Sequence, residues 1–533
     1  MVADRCGSAG RNTAAQALLI DPETRLNDDA TVTLDASKAR LISARTPKST
    51  ETRETQYEMV RTVEDGNVIR SVVTMPIVVD ELWVSPTDKV SEGDFQFLTR
   101  WNLQEPRFTY RASGGSVPAM VQTRSMLLTG RHRLHTAYVH TRAAADYAGL
   151  DVKGKAVIVD RSDAVPPRTR VANAEAAGAK LLMVLSDRPG RLNESYATTG
   201  LTGIPVVTVH QSQVADLLDR DERGEELVID AQGAPRYLYD LVSRHPDRVP
   251  DRSLTYAPDP DRDLAQLANR LYSDRAATGY GYRYDVPTYG AGVVHNMDES
   301  YPMVRTEWVD HLEGGSSWFE DHTTWDSRGV QNTSGGRLNH TAGKNYTTSW
   351  LAPVQHPGIG SAYAGPYRDG NNTLSLAVTP YADGGAVDRS GFLDKSTTKM
   401  ALYQGESLVG QSSSRSVTAR NRPAEALPYR LVMDSARNAA DWHTAVRSHS
   451  EWGFTSGAMA AGSGRESVKL LQPHFEVDTD LAGDVESGRR IELTLSASTQ
   501  QWLDSTTYAD SATLSVSYDD GATWQPVALD RDG

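Results

Sequence analysis

Between Asp151 and Asp219 the chain alternates short apolar runs with a helically spaced segment, and this order of elements restricts the fold more than any other feature of the sequence. Residues 152–160 (VKGKAVIVD) are an apolar run behind a Gly turn and predict a strand. Residues 168–177 have helical spacing, with Val171, Ala174 and Ala177 on one face and Pro166-Pro167 near the first turn, where a missing N–H is tolerated. Gly178 is placed to end that helix as a left-handed C-cap. Two further buried-type strands follow at 181–185 and 204–209, then a short helix carrying Val214, Leu217 and Leu218 with Ser212 as its expected cap. A strand-helix-strand unit of this length lays its strands parallel.

Gly154, Lys155, Val157, Val159, Arg161, Asn173, Ala174, Ala177, Gly178, Ala179, Gly203, Pro205, Val206, Val207 and Val209 carry a pattern that resembles the protease-associated (PA) domain over about seventy residues. One position departs from it. Ser162 stands where a glycine often follows the arginine, which puts a special loop conformation there in doubt.

The remainder of the chain reads as β-rich. With 533 residues it exceeds one ordinary core, and 42 Gly and 25 Pro punctuate many short alternating segments. The expected fold class is mainly β and multidomain, a PA-type α/β domain flanked by antiparallel β-sandwich modules. The division expected is 1–134, a β-rich region with a truncated start; 135–233, the PA domain; 234–302, an aromatic-rich β linker; 303–460, a β-sandwich; and 461–533, a truncated sandwich with a hairpin. Residues 30–36 alternate as a strand, as do 68–76, 95–101 and 373–379, and 402–409 reads as a hairpin turning near Gly405. Tyr280, Tyr282 and Tyr284 fall on one side of one strand and read first as half of a core, second as a substrate-facing surface.

Charge and composition exclude several partners. The net charge of -14 opposes attraction to phosphate backbones, so nucleic acid is not expected. No apolar run is long enough to span a bilayer, and the first twenty residues carry charges and no continuous apolar stretch, so they are no secretory signal as written. Cys6 is the one cysteine, which rules out an internal disulfide and a cysteine-based zinc site. The strand at 30–36 lacks an evident partner and the hairpin at 512–529 stops abruptly, so both ends read as cuts through β-domains.

Catalytic patterns are missing. G-x-S-x-G and H-E-x-x-H do not occur, and the Gly-Lys pairs continue as Gly154-Lys155-Ala156 and Gly343-Lys344-Asn345, which is no phosphate loop. His132, His135 and His140 lie among arginines, and 132 and 135 point to opposite faces of a strand, so no metal site is expected there. Asp310, His311, Glu313, Glu320, Asp321, His322 and Asp326 could surround a hard cation if the run folds back; the favoured reading is a solvated acidic loop. Residues 517–524 (SYDDGATW) resemble an Asp-box hairpin, with Ser and Asp side chains bonding the turn and Trp packing beneath. No catalytic, cofactor-binding or metal residue is assigned, and no cofactor is expected.

The segment 31–38, the PA-like unit, 237–241 with Val249-Pro250, the strand 305–308, Gly365-Pro366-Tyr367 and the hairpin 517–524 together resemble the post-catalytic C-terminal region of secreted actinobacterial subtilisin-like (S8 family) serine peptidases. That family's D-[ST]-G, H-G-T-H and G-T-S-M words are absent, and Ser456 in 455–459 (TSGAM) lacks partners. The resemblance implies a non-catalytic accessory region whose PA domain and sandwiches restrict or recruit protein or peptide substrates outside the cell, with any catalytic domain upstream of Met1. The alternative is a stand-alone extracellular binding protein for carbohydrate or cell wall. A PA-containing zinc peptidase is a third reading, but the paired glutamates that such a resemblance requires after the PA domain are missing, and His295 and Asp298 are one residue too far apart for its H-x-D word.

Overall fold

The computed structural model describes residues 2–6, 14–24, 29, 31–140, 143–288, 292–360, 365–459, 464–503 and 505–531, with backbone alone for 2–6. The side chain of Cys6, the start of the expected strand at Ala30, and Arg142 lie outside the described residues. The protein is mainly β and multidomain. Two compact units divide the chain: Met1–Ala268 with Arg305–Gly314 and His340–Tyr346, and Asn269–Val304 with Gly315–Asn339 and Thr347–Gly533.

In the first unit, Val68–Met75, Glu51–Thr62, Asp94–Gln104 and Tyr237–Pro246 form an antiparallel run, joined in parallel by Met303–Asp310. Its inner side chains, among them Tyr57, Phe97, Trp101, Tyr239, Leu241 and Trp308, make one apolar core. Among the described residues 31–36 the expected strand does not form. Asp35 accepts from the Ser37 N–H and caps a 3-10 turn, Ala36–Lys38, and Val32 stays exposed. A side chain that competes for backbone donors favours such a turn over a ladder.

The PA module follows the sequence pattern closely. Ala156–Asp160, Leu181–Leu185 and Val206–Val209 pair in parallel, with Thr136–Val139 beside the first and Met120–Val121 antiparallel beside the last. A four-stranded antiparallel sheet, Gly130–Leu134, Leu227–Ala231, Phe108–Ala112 and Gly115–Pro118, covers one face. The runs are apolar without alternation because both faces are buried. Ala156, Ile158, Leu181 and Met183 pack with Phe108, Tyr110, Ile229 and Leu217, while Val157, Val159, Leu182 and Val184 pack with Val171 and Ala174 of the helix α1, Pro167–Ala176. Each Val, Leu, Ile, Met or Phe side chain among them contributes about 1.5–3 kcal/mol on burial.

Helix α1 starts at Pro166-Pro167 and ends in a Schellman turn: Gly178 takes φ +83, its N–H donates to Glu175 O, and Ala179 N–H donates to Ala174 O. Ser162, the departure from the PA pattern, accepts from the Ala164 N–H and closes its own turn. Ser212 does not cap the last helix. His210 bonds the Ser212 N–H instead and starts a 3-10 turn, Gln211–Gln213, that feeds α2, Val214–Glu222.

The second unit contains an antiparallel five-stranded sheet in the order Val293–Tyr301, Ala277–Val286, Ser317–Asp326, Gly329–Leu338, Ser390–Leu393. It also contains a β-sandwich. Leu374 and Leu376 with Val417 and Ala419 of one four-stranded sheet meet Met400, Leu402, Leu431 and Met433 of the other. The hairpin at Gly405 (φ +57) joins Ser396–Gln404 to Ser407–Ser412 as expected. Among the described residues no helix is long and apolar enough to cross a membrane.

Candidate functional site

The carboxyl ends of the parallel strands are where an open α/β sheet leaves room for a ligand, because the following loops diverge there. In the PA module the loop after Leu181–Leu185 supplies Arg191 and Leu192, and the end of Val206–Val209 supplies Thr208, His210, Ser212 and Gln213. Val117, Pro118 and Met120 give the apolar wall, Glu51 and Asp80 complete the rim, and the cleft encloses about 270 Å³. Gln122 fixes the loop: its Nε2 donates to Leu192 O and to Thr208 Oγ1, each at 2.9 Å, and its Oε1 accepts from the Glu194 N–H at 2.8 Å. The wall is therefore preformed.

The rim is charged with both signs. Asp80 Oδ2 lies 3.1 Å from His210 Nε2 and accepts the Gly190 N–H at 2.8 Å. Burial raises the Asp80 carboxyl, but these two bonds and the nearby Arg191 charge outweigh it and hold the group below the usual carboxylate range. Burial pushes Glu51 the other way, only partly offset by the hydrogen bond from Gln104 and the Arg191 charge.

His210 Nδ1 also lies 2.8 Å from Ser212 Oγ, so an aspartate, a histidine and a serine form one string. Sequence reading missed it because 130 residues separate Asp80 from His210. The string is built as a cap. Nδ1 accepts the Ser212 backbone N–H at 3.3 Å as well as facing its hydroxyl, so the base nitrogen is shared with the turn that it closes.

Beneath the cleft loop a second charged group braces the module. Arg170, buried on α1, donates to Glu194 at 2.8 Å and to the Tyr196 hydroxyl at 2.9 Å. Arg161 pairs with Asp163, Asp187 and Glu194.

The histidines and acids noted in the sequence are dispersed. His132 bonds Thr129 O, His135 faces Glu226, and the His140 ring leans on Tyr138. Asp310 belongs to the first unit. Burial pushes its carboxyl up to about 7, against the bonds from the Val242 N–H and the Tyr256 hydroxyl. His311 bonds His340 O. Glu320, Asp321, His322 and Asp326 are not in a solvated loop but on the strand Ser317–Asp326 of the second unit. Glu320 and His322 face its packed side, fully buried, and Asp321 faces the other. Among the described residues no group of three or more donors is placed to hold a metal ion. His295 and Asp298 stand on opposite faces of Val293–Tyr301 and cannot share a ligand.

Charges fill the packed side of that sheet. Arg283 Nε donates to Glu320 at 2.7 Å, Glu299 lies 3.0 Å from His322 Nδ1 and accepts from the Tyr301 hydroxyl at 2.6 Å, and the His322 ring sits 4.0 Å from Trp350. Burial alone lowers the His322 imidazole, yet the Glu299 and Glu320 contacts overcome it and raise it to about 9, so His322 is protonated at neutral pH. Pairing of Arg283 and His322 with Glu299 and Glu320 offsets part of the unfavourable burial of these charges. Gly281 makes room for them: a Cβ there would lie 2.6 Å from Glu299 Oε1 and 2.8 Å from Met297 Cε.

On the other side of the same sheet, Tyr280, Tyr282 and Tyr284 are half-buried. The packed core lies on the opposite side, so the reading of these rings as half of that core is corrected. Glycines and charges occupy the facing-in positions Gly279, Gly281, Arg283 and Asp285. Ser456 ends the strand Arg447–Ser456, where Arg368 donates to its hydroxyl at 3.4 Å. In the hairpin, Ser517 accepts from the Gly521 N–H and Asp519 takes the Thr523 N–H and hydroxyl, bonds that pull Asp519 down to about 2. Trp524 remains 63% exposed rather than packed beneath.

Residues 130–217 match the PA domain family. No curated protein matches the chain. Among solved structures, an aminopeptidase from Aneurinibacillus sp. strain AM-1 aligns at 18% identity over 34% of this chain and 41% of its own, with a TM-score of 0.21. A zinc aminopeptidase from Bacillus subtilis aligns at 19% identity over 28% of this chain and 35% of its own, TM-score 0.20. A psychrophilic subtilisin-like protease from the Antarctic Pseudoalteromonas sp. AS-11 aligns at 13% identity over 32% of this chain and 40% of its own, TM-score 0.18. The chain thus spans less than half the length of each of these proteins.

Proposed function

We propose that this chain is the non-catalytic accessory region of a secreted, actinobacterial subtilisin-like (S8 family) serine endopeptidase, and that its PA cleft holds a segment of the protein substrate. The observation that carries this reading is the preformed cleft at the strand ends of a PA domain. An apolar wall of Val117, Pro118 and Met120 suits a side chain, and a rim bearing Arg191 and His210 beside Asp80 and Glu51 suits the polar backbone of an extended peptide. The capping role of His210 supports the absence of catalysis, since the ring nitrogen that faces the Ser212 hydroxyl is committed to the turn.

Fluorescein-labelled casein, an unfolded protein probe, is expected to bind the purified chain in fluorescence anisotropy, and Arg191→Ala to weaken that binding by roughly tenfold, the worth of one charged hydrogen bond. A fluorophosphonate probe is expected to leave Ser212 unlabelled. Labelling of Ser212, or casein hydrolysis by the chain alone, would overturn the accessory reading, and casein binding that ignores Arg191→Ala would remove the cleft from it.

A further inference from the structure

The outward side of the five-stranded sheet in the second unit is an ordered array of rings and polar groups. Alternation puts Tyr280, Tyr282 and Tyr284 on this side, spaced by two residues, about 7 Å along the strand. The Tyr280 and Tyr282 rings are 6.4 Å apart, Trp325 from the next strand lies 4.9 Å from Tyr280, and Phe319 lies 5.6 Å from Tyr284. Trp325 remains 37% exposed, on a side that the sheet's own packing does not use.

Polar groups sit between the rings in register. Tyr280 stands opposite Thr323 and Asp298, and Tyr282 stands opposite Asp321 and Asn296. Asn332 Nδ2 donates to Thr323 Oγ1 at 2.9 Å, which holds that pair in place. Asp321 Oδ1 is buried with no hydrogen-bond partner among the described residues, and burial raises the carboxyl. A hydrogen bond from Ser334 partly offsets that rise.

We infer that this face binds a neutral polysaccharide. Rigid aromatic rings offer flat, amphipathic area at small entropic loss, which matches the C–H faces of pyranose units. The acceptor and amide groups between the rings match hydroxyl donors at the edges of the sugars. Charge selects against other polymers: the chain has a net charge of -14, so a polyanion is repelled. The site belongs to the second unit and is independent of the peptide cleft.

Affinity electrophoresis of the whole chain through native gels containing hydroxyethylcellulose, soluble xylan or amylopectin, with polygalacturonate as the anionic control, tests this. Retardation is expected in at least one neutral gel and absent in polygalacturonate. Trp325→Ala and Tyr282→Ala should each raise the dissociation constant at least tenfold, and Tyr282→Phe should retain binding because it keeps the ring. Hydrogen exchange in peptides from 277–338 should be unchanged in the three variants, which shows that the sheet stays folded, and casein binding should be the same in all of them. Migration unaltered by every neutral glycan, or retardation that Trp325→Ala and Tyr282→Ala leave intact, would overturn the inference. A dimer in analytical ultracentrifugation that Trp325→Ala converts to monomer would also overturn it, assigning the face to a second copy of the chain.

Discussion

The PA sheet and the five-stranded sheet of the second unit are both buried β-structures made by opposite means. In the PA module, Val157, Ile158, Leu182 and Met183 remove apolar area from water on both faces, and charges stay at the strand ends. In the second unit the packed side carries Arg283, Glu299, Glu320 and His322, fully or nearly fully buried. Apolar burial is non-directional and tolerates small displacements, whereas a buried ion group holds only if each member keeps its partners. The first sheet is therefore expected to fail gradually under substitution and the second abruptly.

The sharpest break of that contrast is Glu320→Ala. It leaves Arg283 buried without its 2.7 Å partner and should destabilise the second unit by about 3–5 kcal/mol. The double change Arg283→Met with Glu320→Leu should recover much of that loss, because both charges leave together. In the PA module, Leu182→Ala creates a cavity and should destabilise by about 2–5 kcal/mol with no comparable rescue. Hydrogen exchange read on peptides from 277–338 and from 152–209 during denaturant titration separates the two units. If the double variant is no more stable than Glu320→Ala, the charges do not act as a group.

A smaller effect is expected at Gly281. Its Cβ would press on Glu299 Oε1 and Met297 Cε, side-chain atoms that can shift, so Gly281→Ala should destabilise by about 1–3 kcal/mol and loosen the Glu299 contact with His322. The same change at Gly178, where φ is +83, strains the backbone, presses on the Lys153 methylenes and should fray the end of α1. An unchanged His322 titration in Gly281→Ala, followed by NMR, would show that the glycine is not what admits Glu299.

The contrast also explains which parts were legible in the sequence. The PA strands are continuous apolar runs bounded by Gly and Pro, a signal that survives without an alignment, and Gly178 marked the helix end correctly. Ser317–Asp326 gave no such signal: its inward positions are Trp318, Glu320, His322 and Thr324 and its outward ones Phe319, Asp321, Thr323 and Trp325, so neither face reads as apolar and the run passes for an acidic loop. The three tyrosines were visible as a row, but only the glycines and charges opposite them decide that the rings face outward. The cleft was illegible for a different reason. Glu51, Asp80 and His210 meet through tertiary structure, and nothing local in their neighbourhoods marks them.

Titration should sharpen the comparison in separate windows. His322 is raised to about 9 when folded, so its contribution to the second unit is complete below its unfolded value, about 6.5, and is lost as pH rises through 9. Asp310 in the first unit is raised to about 7. Folding favours its neutral form, so stability there is greatest below the unfolded value, about 3.9, and falls as pH rises through 7. Exchange protection, corrected for intrinsic rates, should therefore decline in peptides from 237–256 before it declines in peptides from 293–338. Asp310→Asn should flatten the first decline, since the amide oxygen can still accept from the Val242 N–H without charging. Protection in 293–338 that stays level from about pH 6.5 to 10 would mean that His322 is neutral in the fold, and the charge balance on which that sheet rests would fall with it.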